Sequence, residues 1–93
     1  MDVTIADAPE RSRYEATTTD GEVAGIAQYI LDGSTITFVH TKVEDKFEGH
    51  GVGSQLAREA LRDARRRDLR IVPVCPYIKA YLAKHPEVFD DLS

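Results

Sequence analysis

Between Lys42 and Leu56 the apolar residues of this chain stop alternating and begin to recur every third or fourth position. Three glycines, Gly49, Gly51 and Gly53, stand at the changeover. A helix interior tolerates glycine worse than any residue except proline, at a cost of about 1 kcal/mol relative to alanine. One glycine is enough for a tight turn, so three at alternate positions need a further reason. The amino end of a helix offers unpaired N–H groups and the positive end of the helix dipole. Glycines there let the backbone close around an anion, and phosphate is the usual one.

The segments on either side fix the fold class. "RYEATTT" (Arg13 to Thr19) is rich in threonine with one aromatic and reads as a strand. The turn Asp20-Gly21 leads into a second strand, "EVAGIAQYIL", and Asp32 to Ser34 turns the chain into a third, "TITFVHTKV" (Thr35 to Val43). A short strand at Val3 to Ile5 is expected ahead of this meander. After the glycines, Val52, Leu56, Ala57, Ala60, Leu61 and Ala64 make one face of a helix expected from Val52 to Arg67, with charged residues on the other. "LRIVPVC" (Leu69 to Cys75) reads as a short buried strand, and Pro73 places it at an edge or a bulge. Pro76 suits the first position of a last helix, with Tyr77, Ile78, Tyr81 and Leu82 as its apolar stripe. Pro86 stops that helix at or before His85.

The order β-β-β-β-α-β-α predicts one α+β domain over residues 1–93. Its mixed sheet has an antiparallel meander, one right-handed β-α-β crossover and a C-terminal helix. The glycines then lie where a central strand ends and the crossover helix begins.

Charge and composition exclude several classes. A net charge of −4 argues against a general nucleic-acid binder. No apolar run approaches the roughly 18 residues of a membrane span, and the acidic start "MDVTIADAPE" is no signal peptide, so a cytoplasmic protein is expected. Cys75 is the single cysteine, which rules out an internal disulfide. His40, His50 and His85 are scattered, and no metal site is expected. "REALRDARRRDLR" carries six arginines, either a solvated helix face or an attractor for a polyanionic small ligand.

Two phosphate-binding patterns fit poorly. The nucleotide triphosphatase loop, with its lysine and Ser or Thr, is absent. The dinucleotide pattern begins with Gly49 and Gly51 but meets Ser54 where its third glycine belongs.

"EGHGVG" (Glu48 to Gly53) instead resembles the loop of the GNAT superfamily of acyl-CoA-dependent N-acetyltransferases. That loop reads Gln or Arg, two residues, Gly, one residue, then Gly or Ala. Gly51 and Gly53 match, while Glu48 departs from it. The resemblance runs through "VHTKV", "LAREAL", "VPVCPY" and "AYLAKHP", from about Ile36 to Pro86, and is to a compact branch of the superfamily. The larger fold has a helical pair after its first strand, for which "ADAPERS" leaves no room.

The resemblance implies acetyl-CoA as co-substrate, held by Val43, Glu48, Gly49, His50, Gly51, Val52, Gly53 and Ser54. It implies direct transfer of the acetyl group to an amine on a small molecule or a protein, with Tyr81 protonating the departing thiolate. It also implies that backbone N–H groups at the exit of "TITFVHTKV" support the thioester carbonyl. His40 is either a proton acceptor or a hydrogen-bonded strand residue, and Glu44 a weaker candidate. Cys75 is either a nucleophile at a helix amino terminus or a small buried hydrophobe. Tyr81 itself has a competing place in the core. The rival reading is a non-enzymatic CoA-binding or protein-interaction module.

Overall fold

A computed structural model describes residues 2–87 and orders them into five strands and two helices. In chain order these are β1 (Val3–Ala8), β2 (Arg13–Thr18), β3 (Val23–Asp32), β4 (Thr35–Val43), α1 (Val52–Arg66), β5 (Arg70–Pro73) and α2 (Pro76–Lys84). The sheet runs β1-β2-β3-β4-β5, antiparallel as far as β4, with β5 parallel to β4 across the α1 crossover. The α+β architecture expected from the sequence is present.

Two strands differ in extent from expectation. β1 continues to Ala8 and pairs along its whole length with β2, from Val3 opposite Thr18 to Ala8 opposite Arg13. The two are joined by one 3-10 turn, Pro9–Arg11, so no helical pair intervenes. β5 spans only Arg70–Pro73 and lies at the sheet edge, where a terminal proline costs no ladder hydrogen bond.

Helix α1 lays its predicted stripe on the sheet: Val52, Leu56, Ala57, Ala60, Leu61 and Ala64 are all buried. Its alanines face small residues in the strands, Ala16, Ala24 and Ala27, which lets helix and sheet approach closely. Ile36, Phe38, Leu56 and Leu61 supply the bulk, each worth roughly 1.5–3 kcal/mol when fully buried. In α2, Ile78 and Leu82 are buried, but Tyr77 is 43% exposed and leaves the stripe assigned to it.

A polar clamp closes the far end of the core. Tyr14, Tyr29 and Phe38 pack as a triangle with ring centroids 5.5, 6.3 and 6.4 Å apart. The Tyr14 hydroxyl donates to Asp63 and the Tyr29 hydroxyl to Asp7, each at 2.6 Å. Arg67 Nη1 then joins Asp7 and Asp63, 3.1 Å from an oxygen of each. Burial, and next the bond to its carboxylate, pushes each tyrosine well above its ordinary range. Burial acts on Asp63 in the opposite sense to its partners, but donation from Tyr14, Arg67 and Arg66 prevails and holds it below the usual carboxylate value. Much of the arginine run is thus tied down: Arg58 and Arg62 meet Glu59, and Arg66 and Arg67 meet Asp63.

β4 changes phase in its middle. Gln28 pairs with His40 and Tyr29 with Phe38, which leaves Val39 as an extra residue in β4. The bulge moves the buried face of the strand from Ile36 and Phe38 to Thr41 and Val43. Opposite Phe38, β5 ends: the Phe38 carbonyl accepts both Val74 N–H at 3.1 Å and Cys75 N–H at 2.8 Å. From His40 onward β4 has β3 on one side and no strand on the other. Among the described residues, no helix is long and apolar enough to cross a membrane.

Candidate functional site

The gap beside the free half of β4 opens into a cleft of about 320 Å³. Its walls are Thr41 and Val43 of β4, the loop residues Phe47, Glu48, Gly49 and Gly51, Val52 and Gly53 of α1, and Tyr77 of α2. Crossover topology explains the convergence. Parallel β4 and β5 end on the same side of the sheet, so the loop after each meets the other there.

Gly51 is the residue before the helix and has φ 75°, a left-handed conformation that side chains disfavour. No side chain caps α1, and no acidic residue occupies its first turn. The positive end of the helix dipole therefore faces the cleft without a carboxylate of its own. Glu48 lines the same cleft as an exposed side chain. Gly53 has a different reason to be glycine, since the Tyr77 hydroxyl lies directly over it.

The bulge also sets backbone directions. The Lys42 carbonyl points at β3, 3.0 Å from where a Gly25 Cβ would stand. Alternation along a strand then turns the backbones of Thr41 and Val43 toward the open side. Cys75 lies beneath, 2% exposed, as the residue preceding α2, with its Sγ 3.3 Å from Thr41 Oγ1.

The structure thus brings together on one cleft six of the residues marked in the sequence: Val43, Glu48, Gly49, Gly51, Val52 and Gly53. His50 is exposed in the loop outside the lining, and Ser54 turns to a neighbouring cleft. Tyr81 lines that second cleft, half-buried, its ring stacked 4.4 Å from His85. Burial is the largest influence on its hydroxyl and raises its pKa. His40 is exposed on the opposite face of β4 from the cleft-lining Thr41. Among the described residues, no three His, Cys, Asp or Glu side chains converge as a metal site.

Thr41, Phe47 and Tyr77 line the cleft without having been marked in the sequence. A signal for Tyr77 existed. As the second residue of a helix that follows a parallel strand, it stands at the same end of the sheet as the glycines.

Comparison with known proteins gives matches of three kinds. A family model described as GCN5-related N-acetyl-transferase matches residues 13–92. Protein NATD1 of Xenopus tropicalis is 35% identical over 52 residues, which is 56% of this chain and 48% of that protein. The chain's match thus spans about half the length of that relative. The solution structure of a GCN5-like candidate N-acetyltransferase from Staphylococcus aureus superposes with a TM-score of 0.66 and 24% identity. That superposition covers 96% of this chain and 85% of the other, a likeness of fold.

Proposed function

The chain belongs to the GCN5-related N-acetyltransferase family, and from that premise we propose that it binds acetyl-CoA in the cleft between β4, the glycine loop and Tyr77 and transfers the acetyl group to an amine. The observation that carries this reading is the uncapped first turn of α1 opening on the free half of β4. A diphosphate on the amides after Gly51 leaves the rest of the co-substrate to run along Thr41 and Val43. The outward backbone N–H of one of these then supports the thioester carbonyl as it gains negative charge.

The transfer is direct. A neutral amine attacks the carbonyl carbon, the carbon–sulfur bond breaks, and the thiolate takes a proton while the amine gives one up. Tyr81 is the proton donor that family resemblance suggests, and we keep the role there, because the Tyr77 hydroxyl lies over Gly53, where the diphosphate sits, a pantetheine length from the thiolate. Cys75 serves as packing beneath the site, held at Thr41, and not as an acyl carrier. His40, on the far face of β4, meets the acceptor side as a base for the amine proton. The buried free thiol suits a cytoplasmic setting.

One observation favours the rival, a CoA-binding or protein-interaction module without activity. The connection Pro9–Arg11 is too short to cover the outer sheet face, where Ile30 is 60% exposed. The deciding experiment measures release of free thiol from acetyl-CoA with a panel of amines and amino-terminal peptides. Turnover with any of them supports the enzyme. Tight binding with no turnover on any favours a CoA-binding module, and no binding overturns the enzyme and leaves the protein-interaction module.

A further inference from the structure

The sheet has two edges, and the chain protects only one of them. β5 is four residues long and ends in Pro73. Shortness and proline both make an edge strand unfit for pairing with another chain. β1 has neither device. It runs six residues, from Val3 to Ala8, without proline, lysine or a break in its register with β2. Its charged residue, Asp7, is taken by the Tyr29 hydroxyl and Arg67. Alternate residues of β1 turn their N–H and C=O groups away from β2, toward an edge that no other strand among the described residues covers.

A cleft of about 340 Å³ lies between this strand and α1. Ile5 and Ala6 belong to its strand wall, and Glu59, Arg62 and Arg66 to its helix wall. The helix wall carries surplus positive charge. Glu59 serves both Arg58 and Arg62, and Asp63 serves both Arg66 and Arg67, so each carboxylate answers two guanidiniums. These arginines are tied down without being neutralised, and the side chains of Arg62 and Arg66 stand 60% and 74% exposed. Their spacing also suits an extended chain. Four helix residues rise about 6 Å, and two strand residues about 6.6 Å. Carboxylates on alternate residues of an added strand would keep step with Arg62 and Arg66.

We propose that the free edge of β1 binds an extended segment of another protein as an added strand, with acidic side chains at every second position reaching Arg62 and Arg66. Main-chain hydrogen bonds supply the affinity, and the alternate carboxylates select the segment. A second copy of β1 fits less well. Its carboxylate is already held in its own clamp, and it would bring another α1, with the same arginines, against the first. None of these residues lines the cleft assigned to acetyl-CoA, so the inference stands apart from the acyl-transfer reading.

The test titrates a blocked peptide of alternating threonine and glutamate, long enough to span β1, into the full chain and follows the backbone amides by NMR. Binding is expected to slow hydrogen exchange at alternate residues of β1. Backbone N-methylation of the peptide should abolish binding at residues of one parity only. Arg62→Glu should weaken binding about tenfold, the scale of reversing one exposed charge contact. Its melting temperature should stay near that of wild type, because exposed Arg62 meets Glu59 only at 4.0 Å. A peptide with its central glutamate changed to lysine should then bind the variant better than it binds wild type. No binding to wild type overturns the proposal, as does equal affinity for a peptide with the same residues in two blocks. Protection of β1 that rises with protein concentration in the absence of peptide would overturn it in favour of a second copy.

Discussion

The Tyr77 hydroxyl fills the space in front of Gly53: a Cβ built on that glycine lies 2.6 Å from Oη and 2.9 Å from Cζ. The glycine at the second position of α1 is thus required by a side chain of α2. Tyr77 is half-exposed and can swing out, and alanine is the better helix former by about 1 kcal/mol. Gly53→Ala should therefore fold with a melting temperature near that of wild type, while acetyl-CoA binding weakens because the displaced ring obstructs the cleft. In a Tyr77→Ala background the same change should stabilise the protein, a non-additivity that a double-mutant cycle reads directly. Additive effects would mean that the contact carries no energy.

Gly51 is constrained by its own backbone. With φ at 75° and no Cβ, it can precede the helix in a conformation that costs a side chain roughly 1–2 kcal/mol. Gly51→Val should lower the free energy of unfolding by at least that much and abolish acetyl-CoA binding in the fraction that folds. Retained affinity would argue against a diphosphate on the following amides.

Ligand choice is open to a simple thermal measurement. Acetyl-CoA at a hundred times its dissociation constant should stabilise the native state by about 2.7 kcal/mol. ATP and NAD at matched concentration should give no comparable shift. A response to NAD alone would return the glycine loop to the dinucleotide class.

The proton donor and the acyl route separate by kinetics and mass. Tyr81→Phe should lower kcat by roughly 10²–10⁴-fold, the usual range for a general acid, while Tyr77→Phe, at the diphosphate, acts on acetyl-CoA affinity and leaves kcat nearly unchanged. Acetyl-CoA alone should leave no adduct on Cys75 by intact mass, and Cys75→Ala should cost activity only in part, through packing. A transferable acetyl group on Cys75 would replace direct transfer by a two-step route.

The clamp predicts how stability responds to pH. Asp63 has a lowered pKa in the folded chain, so its contribution is present above the unfolded value near 3.9 and lost as pH falls through the folded one. Tyr14 and Tyr29 are raised, so their contribution is full below the unfolded value near 10 and declines as pH rises past it. Melting curves should show both losses, and Tyr14→Phe should flatten the alkaline one. Removing the Tyr14 hydroxyl should cost about 1–2 kcal/mol, reduced by the partial exposure of Asp63. A variant as stable as wild type would reduce the clamp to decoration.

Much of this was legible in the sequence because it is periodic or local. The strand run Thr35–Val43, the helical stripe from Val52 and the glycine run each announce themselves within a few residues. The β4 bulge was half-legible, for the apolar face moves from Ile36 and Phe38 to Val43 and breaks strict alternation. Tyr77 was misplaced because its four-residue spacing to Tyr81 looks like one stripe. In the first turn of α2 its ring reaches the glycine loop. The clamp carries no local signal at all, since Tyr14 meets Asp63 across 49 residues.

That same clamp bears on the order in which the chain acquires its shape. Asp7 belongs to the first strand, and the guanidinium that fastens it belongs to Arg67, 60 residues later. The hairpins of β2, β3 and β4 close over short distances and can form as soon as their residues leave the ribosome. β1 can pair with β2 early, but the tie from its Asp7 to the helix must wait until α1 has been made in full. The first strand is thus secured only after the crossover helix has been synthesised.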